Sequence, residues 1–169
     1  VISLISPQIE GKLASVPVGD NQTVKTGDVL ATIEDADYRA RVAQAAAMVA
    51  AAEASVSTID SQITWQQTKI DQVQAQQRSA AAELTRAKTV YDRYKKMIVD
   101  KVIGTQELDE ATAAYLKAQA AVTETAAELA AEQTQLGVYR TSRKEAEAKR
   151  AEADAARQLA QIDVDRTVI

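Results

Sequence analysis

The backbone breakers glycine and proline constrain this chain more than any other feature. It contains five Gly and two Pro. Most of them lie close to the N-terminus, at Pro7, Gly11, Pro17, Gly19 and Gly27. From Asp35 to Lys101 there is no Gly and no Pro. Because both residues interrupt regular helix, the chain divides into a short irregular region and a long region that can form uninterrupted helix.

A seven-residue apolar repeat in the long region predicts a coiled-coil helix over residues 35–98. About 63 helical residues would span roughly 95 Å. Only two glutamines interrupt the apolar character of the repeat. One row of core positions is Val42, Val49, Val56, Ile63, Ile70, Gln77, Leu84, Tyr91 and Ile98. The second row, three residues later, is Ala45, Ala52, Ile59, Gln66, Val73, Ala80, Ala87 and Tyr94.

A turn at 99–104 containing Gly104 separates this helix from a second one, predicted at 105–160 with the Thr105 hydroxyl as its cap. Its repeat begins with Leu108, Tyr115, Val122, Leu129 and Leu136. Near Gly137 the apolar phase changes to Tyr139, Ala146, Ala153 and Ala160, which we interpret as a stutter.

Folding back at the turn would pair two alanine-rich segments, Ala43–Ala54 and Ala146–Ala160. This match favours an antiparallel hairpin. The alternative is one continuous rod in which Gly104 is an interior glycine, at a cost of only about 1 kcal/mol.

Residues 1–34 predict short strands and turns. Turns are expected at Gly19-Asp20 and at Gly27-Asp28, with strands at Val1–Ile5 and Val29–Ile33. Three or four short strands need further strands to form a stable sheet. The inward positions expected here are Val16, Val18, Val24, Leu30 and Ile33.

Composition excludes several classes of function. The chain has no His and no Cys, so the commonest general base, metal ligands and thiol nucleophile are missing, and we expect no catalytic, cofactor or metal site. A net charge of −4 with mixed signs predicts no nucleic-acid partner. The sequence contains no run of about 18 apolar residues, so it predicts no membrane span.

The segment from Ile9 to Ala40 resembles the first half of a lipoyl or biotinyl carrier domain in its Gly-Asp spacing. Those carriers present a modifiable lysine in the turn that follows, but Glu34–Tyr38 contains none. The resemblance therefore implies a lipoyl-like fold without the cofactor. The helical hairpin occupies the place of the lysine turn.

A hairpin inserted between lipoyl halves is similar to membrane-fusion proteins of the HlyD type, the periplasmic adaptors. The resemblance implies a mainly α fold: residues 1–34 form the first lipoyl-like half, 35–160 the coiled-coil hairpin, and 161–169 the start of a second half that is incomplete in this fragment. It further implies a periplasmic location, with a membrane anchor outside the fragment, and self-association into a ring. In such a system, for multidrug efflux or type I secretion, the protein would bridge an inner-membrane transporter to an outer-membrane channel of the TolC type.

The segment from Val90 to Ala111 is similar to the tip of adaptor hairpins, where Arg, Leu and Ser contact the channel. The QELDEA run aligns Arg93, Met97 and Gly104 with these three positions. Glycine loses the serine hydroxyl, which Thr105 could replace. The aliphatic cluster Ile98, Val99, Val102 and Ile103 adds apolar surface that suits a contact. Glycine here and the long hairpin resemble EmrA-type adaptors, which favours a major-facilitator transporter over an ABC type.

Three other functions remain open at this stage. A cytosolic coiled-coil scaffold would explain the heptads but not the Gly-Asp spacing. A carrier domain of an enzyme complex would need the missing lysine. An enzyme would need two carboxylates in a cleft, whereas the acidic residues are dispersed along helices. The tip itself could simply close the coiled coil, with Arg93 as a solvated charge.

Overall fold

The computed structural model describes residues 6–100 and 104–169 and contains two long helices and a small sheet. Strand β1 is Leu13–Ser15, β2 is Thr32–Ile33, helix α1 is Ala36–Val99 and helix α2 is Thr105–Asp165. The predicted mainly α fold with two long helices is confirmed. Helix α2 extends five residues beyond the predicted end at 160, so the segment after it is shorter than expected. The predicted strand at Val1–Ile5 lies outside the described residues.

The chain divides into two compact units, and each contains parts of both helices. The first, which we call the basal unit, is Val1–Thr58 with Arg143–Ile169, and the second, the distal unit, is Ile59–Ser142. In the basal unit Glu53 forms an ion pair with Arg150 at 2.9 Å. In the distal unit Gln66 hydrogen-bonds Glu132, and the ring of Tyr91 stacks on that of Tyr115. Rising numbers on α1 meet falling numbers on α2, so the antiparallel pairing is confirmed and the continuous rod is wrong.

Burial follows the predicted heptads along both helices. Each predicted core position of α1 from Val42 to Ile98 is buried or half-buried, including Gln66 and Gln77. The predicted stutter of α2 is wrong. The helix is unbroken, and residues at alternating spacings of three and four are buried or half-buried on either side of Gly137, with Arg150 as the exposed exception. The apolar residues only change from one row of a single heptad to the other, because Arg143, Arg150 and Arg157 take over the first row.

A narrow antiparallel sheet forms in the basal unit. Strand β1 pairs with β2, with Leu13 opposite Ile33. On the other side of β2 the end of the chain adds further pairing: Ile33 N donates to Thr167 O at 2.8 Å, and Ile169 N donates to Ala31 O at 2.9 Å. Ile33 is therefore central and only 4% exposed. A Cβ on Gly11 would collide with the Ile33 side chain, which explains why glycine occupies that position.

Only part of the predicted apolar face of this sheet is covered. Ile33 is buried and Val18 and Leu30 are half-buried. The prediction that Val16 and Val24 point inward is wrong, because they are 56% and 45% exposed. A narrow sheet of this kind offers one layer of contacts, so these valines stay in contact with water.

Helix α1 also contains an 18-residue window, with mean hydropathy 1.3, that is long and apolar enough by composition to cross a membrane. This differs from the expectation from sequence. Only 6% of that window is buried in the chain. One helix of this kind is weak evidence for a membrane span. The high hydropathy of the window comes from the alanine content of α1, since alanine is apolar although its side chain is small.

Candidate docking site at the hairpin turn

The predicted tip lies in the distal unit, where a short turn joins the two helices. Helix α1 ends at Val99 and α2 begins at Thr105. Val102 and Ile103, which were expected to contribute apolar surface, lie outside the described residues. The candidate residues on the helices themselves can be placed, and they fall on both sides of the turn.

Two of these helical residues present different chemistry at the end of α1. Arg93 is exposed, whereas Met97 is half-buried. Val99, a member of the predicted aliphatic cluster at the tip, is the most exposed large apolar side chain described, at 78%. An aliphatic residue held so fully in water at a helix end gains nothing for the fold.

Gly104 and Thr105 begin the second side of the turn, and both are exposed. Thr105 is itself the first helical residue, so the predicted cap by its hydroxyl is wrong and the N-cap position falls on Gly104. A Cβ on Gly104 would lie 2.9 Å from Glu107 Oε2, the flexible end of a side chain. Glu107 thus occupies the third helical position, as in a capping box, but glycine supplies no hydroxyl.

An aromatic pair holds the two helices together near the turn. The rings of Tyr91 and Tyr115 stack with centroids 5.4 Å apart and an angle of 12° between planes. The Lys95 ammonium lies 5.7 Å from the Tyr91 ring centre. Lys88 donates a hydrogen bond to Asp92 at 2.9 Å, and this bond raises the pKa of Lys88. The helix ends at the turn are therefore anchored by one interhelical contact and bordered by lysines.

A polar cluster, Gln66, Lys69 and Glu132, lies in the core of the distal unit, and sequence reasoning identified only one member. Gln66 is 1% exposed. Its Nε2 donates to Glu132 Oε2 at 2.6 Å and to Glu132 O at 2.9 Å. Lys69 Nζ lies 2.5 Å from Glu132 Oε1 and 5.8 Å from the centre of the Trp65 ring. These contacts, first that of Lys69 and then that of Gln66, lower the pKa of Glu132.

The two predicted turns of residues 1–34 form local hydrogen bonds. Gln22 N donates to Gly19 O at 3.2 Å, with Asp20 and Asn21 inside this turn and Asn21 at φ 65°. The second turn closes through Lys25 N and Asp28 Oδ2 at 2.8 Å. Gly27 has φ 99° within it, which side chains rarely adopt. Neither turn overlaps residues 34–38, the stretch that corresponds to the lysine turn of the carrier domains.

The sequence matches a known family model. Residues 69–138 match the α-helical hairpin domain of RND membrane fusion proteins. Those residues cover most of the distal unit, including Tyr91, Tyr115 and Glu132, and they span the turn. Over these residues the chain is similar to the membrane fusion proteins and carries their type of α-helical hairpin.

Individual relatives narrow the comparison. The chain is 31% identical to the colistin resistance protein EmrA of Acinetobacter baumannii over 119 residues, 70% of this chain and 34% of that protein. It is 29% identical to the multidrug resistance protein MdtN of Escherichia coli O6:H1 over 116 residues, 69% of this chain and 34% of that protein. The chain thus spans about a third of the length of these relatives.

A solved structure shares the fold. The soluble domain of LipC, described as a membrane fusion protein of a type I secretion system, superimposes with a TM-score of 0.51 at 13% identity, covering 99% of this chain and 87% of that one. The similarity extends over both the sheet and the helix pair, and at this identity it concerns the fold alone.

Proposed function

We propose that this chain is the hairpin-bearing part of a periplasmic adaptor that bridges an inner-membrane transporter to an outer-membrane channel of the TolC type. The observation that carries the proposal is the turn between α1 and α2, where an exposed arginine and an exposed valine border a short link between two paired helices. Apolar and cationic groups held outside the helix core are suited to contact another protein.

The remaining features support the same role. The heptad core and the Tyr91–Tyr115 stack give the turn a firm support, which a contact surface needs if it is to keep its shape. The EmrA relative, a colistin resistance protein, and the MdtN relative, a multidrug resistance protein, favour drug efflux. The resemblance of the tip sequence to EmrA-type adaptors favours a major-facilitator transporter, and an ABC transporter is the alternative. We place the protein in the periplasm, anchored to the inner membrane by a segment outside this chain and associated with its own copies in a ring.

We propose a non-enzymatic role as well. Among the described residues, the acidic groups are dispersed along the helices, and several form local ion pairs, as Glu147 does with Arg143 at 2.8 Å. No group of three or more potential metal-ligating side chains occurs in the described ranges. Acidic groups dispersed in this way differ from a pair of carboxylates that converges on a substrate. The cytosolic scaffold is the second candidate, and the family match disfavours it.

Site-specific cross-linking in the full-length protein tests channel docking. A photoreactive amino acid at Val99, in the bacterium that makes the protein, should form an adduct with an outer-membrane channel. Arg93→Asp should reduce that adduct at least tenfold, since a contact that needs a cation would meet a repelling charge. The measurement is the adduct band, identified by mass spectrometry.

Arg86→Asp is the matched control. Arg86 lies one heptad before Arg93, is equally an exposed arginine on α1, and pairs only locally with Glu83 at 3.2 Å. It should leave the adduct unchanged. Equal loss in both variants would indicate a general charge effect, and an undiminished adduct with Arg93→Asp would contradict docking through this residue.

A further inference from the structure

The cores of the two helices contain many interchangeable positions. Alanine fills core positions of both helices at Ala45, Ala80, Ala87, Ala111, Ala118 and Ala146, and these side chains are buried or half-buried. If α2 moved by one heptad along α1, alanine would often replace alanine. Such a repeat specifies that the helices pair, but it specifies their alignment weakly.

The polar cluster is different, because it cannot be repeated one heptad away. Gln66 and Glu132 both occupy core positions, and both oxygens of the Glu132 carboxylate are engaged, one by Gln66 and one by Lys69. One heptad away along α2, the residues that would face Gln66 are Thr125 or Tyr139. Neither has a carboxylate.

A shift would also leave Glu132 without its partners. Its carboxylate would lie opposite Ile59 or Val73, and Lys69 would be about 10 Å away along the helix. The present environment is strongly shielded, since the neighbouring core residues Ile70 and Val73 are each 3% exposed. An unpaired carboxylate in such surroundings is strongly disfavoured.

We infer that the polar cluster Gln66, Lys69 and Glu132 sets the axial alignment of α1 and α2 in the distal unit. It reduces the stability that an apolar pair would give at these positions and in exchange excludes alignments that the alanine positions accept. The alignment decides which residues emerge at the turn, so the cluster acts as a positioning device for the candidate docking site. The inference concerns the helix pair and stands whether or not the turn binds a channel.

Replacing both core partners tests the inference. The double variant Gln66→Leu/Glu132→Leu should remain helical and melt at a higher temperature, because removal of both partners leaves no unsatisfied group. It should also lose its unique alignment. The chain has no Cys, so Ser79→Cys and Thr141→Cys, both at exposed positions of the distal unit, can carry spin labels.

Pulsed electron-spin measurements then report the alignment directly. The parent protein should give one narrow distance. The double-leucine variant should give a second population displaced by about 10 Å, the axial length of seven helical residues. The matched control is Gln77→Leu, which changes the other core glutamine, is half-buried and makes none of the cluster's contacts. It should keep the single distance.

Two results would overturn the inference. One is a single unshifted distance in the double-leucine variant, which would mean that other contacts set the alignment. The other is loss of the helical circular-dichroism signal, since an apolar pair in this core should fold. Trp65 gives a second readout: it is the only Trp and lies beside Lys69, so its emission should change in the double-leucine variant and not in Gln77→Leu.

Discussion

The basal and distal units use the same heptad repeat but fill it differently. In the basal unit the buried helical core residues are alanines, Ala45 and Ala146, at 8% and 7% exposure. In the distal unit Ile70, Val73 and Leu136 are as well or better buried. Because burial stabilises by roughly 25 cal/mol per Å² of apolar surface, the distal core contributes more per heptad. The basal helices are held together by contacts between small side chains and by the sheet.

The same substitution in both units should therefore have unequal effects. Val73→Ala in the distal unit should lower the free energy of unfolding by about 2–3 kcal/mol, from two lost methyl groups and the cavity left behind. Val49 also occupies a core row, in the basal unit, but it is half-buried. Val49→Ala should therefore lower the free energy of unfolding by only about 1 kcal/mol. Urea unfolding followed by circular dichroism gives both values, and equal losses would mean that the two cores are equally tight.

Enlarging an alanine tests the basal core from the other direction. Ala52 is half-buried on α1 and lies next to Glu53. Glu53 pairs with Arg150 on α2, one helical turn before Ala153. Ala52→Leu should lower the free energy of unfolding by about 1 kcal/mol, because added methylenes must displace neighbours in a close helix contact. The measurement is the melting temperature.

Ala51→Leu is the control for this change. It places the same side chain on the adjacent exposed position, where leucine has nearly the helix propensity of alanine. Its melting temperature should match the parent. A drop of the same size in both variants would show that the effect comes from the helix and not from the contact between helices.

The helices could be predicted almost residue by residue. A repeat of period seven without Gly or Pro has one physical solution, since burying the apolar rows requires a partner helix. The predicted core rows from Val42 to Ile98 are shielded as expected. The stutter was wrong because arginines at positions 143, 150 and 157 can occupy core rows while their head groups reach water, and an apolar pattern alone does not register them.

The sheet and the candidate site were less predictable. The inward orientation predicted for Val16 and Val24 was wrong, because alternation predicts a buried face only when a second layer covers it. Ile33 met its expectation since β2 is paired on both sides. At the turn, Arg93 and Met97 were selected through family resemblance, and Val99 was predicted as part of the aliphatic cluster. The contact of Gln66 with Glu132 joins residues 66 positions apart, and neither residue signals the other in sequence.

The smallest expected effect is a dependence of stability on pH, and it arises from Glu132 in the distal unit. The Glu132 carboxylate ionises more readily in the folded protein, because Lys69 and Gln66 donate to it and lower its pKa from the ordinary 4.5. A lowered folded pKa means that the stabilisation is present above the unfolded value and is lost as pH falls towards and through the folded one. The parent and Glu132→Gln should therefore differ in unfolding free energy at pH 7, and the difference should shrink as the pH falls below about 4.5. The two proteins differ only at residue 132, so urea unfolding of both at several pH values isolates this group. A difference that stays constant from pH 7 to pH 3 would mean that Glu132 gains nothing from its charge, and that the cluster depends on hydrogen bonding alone.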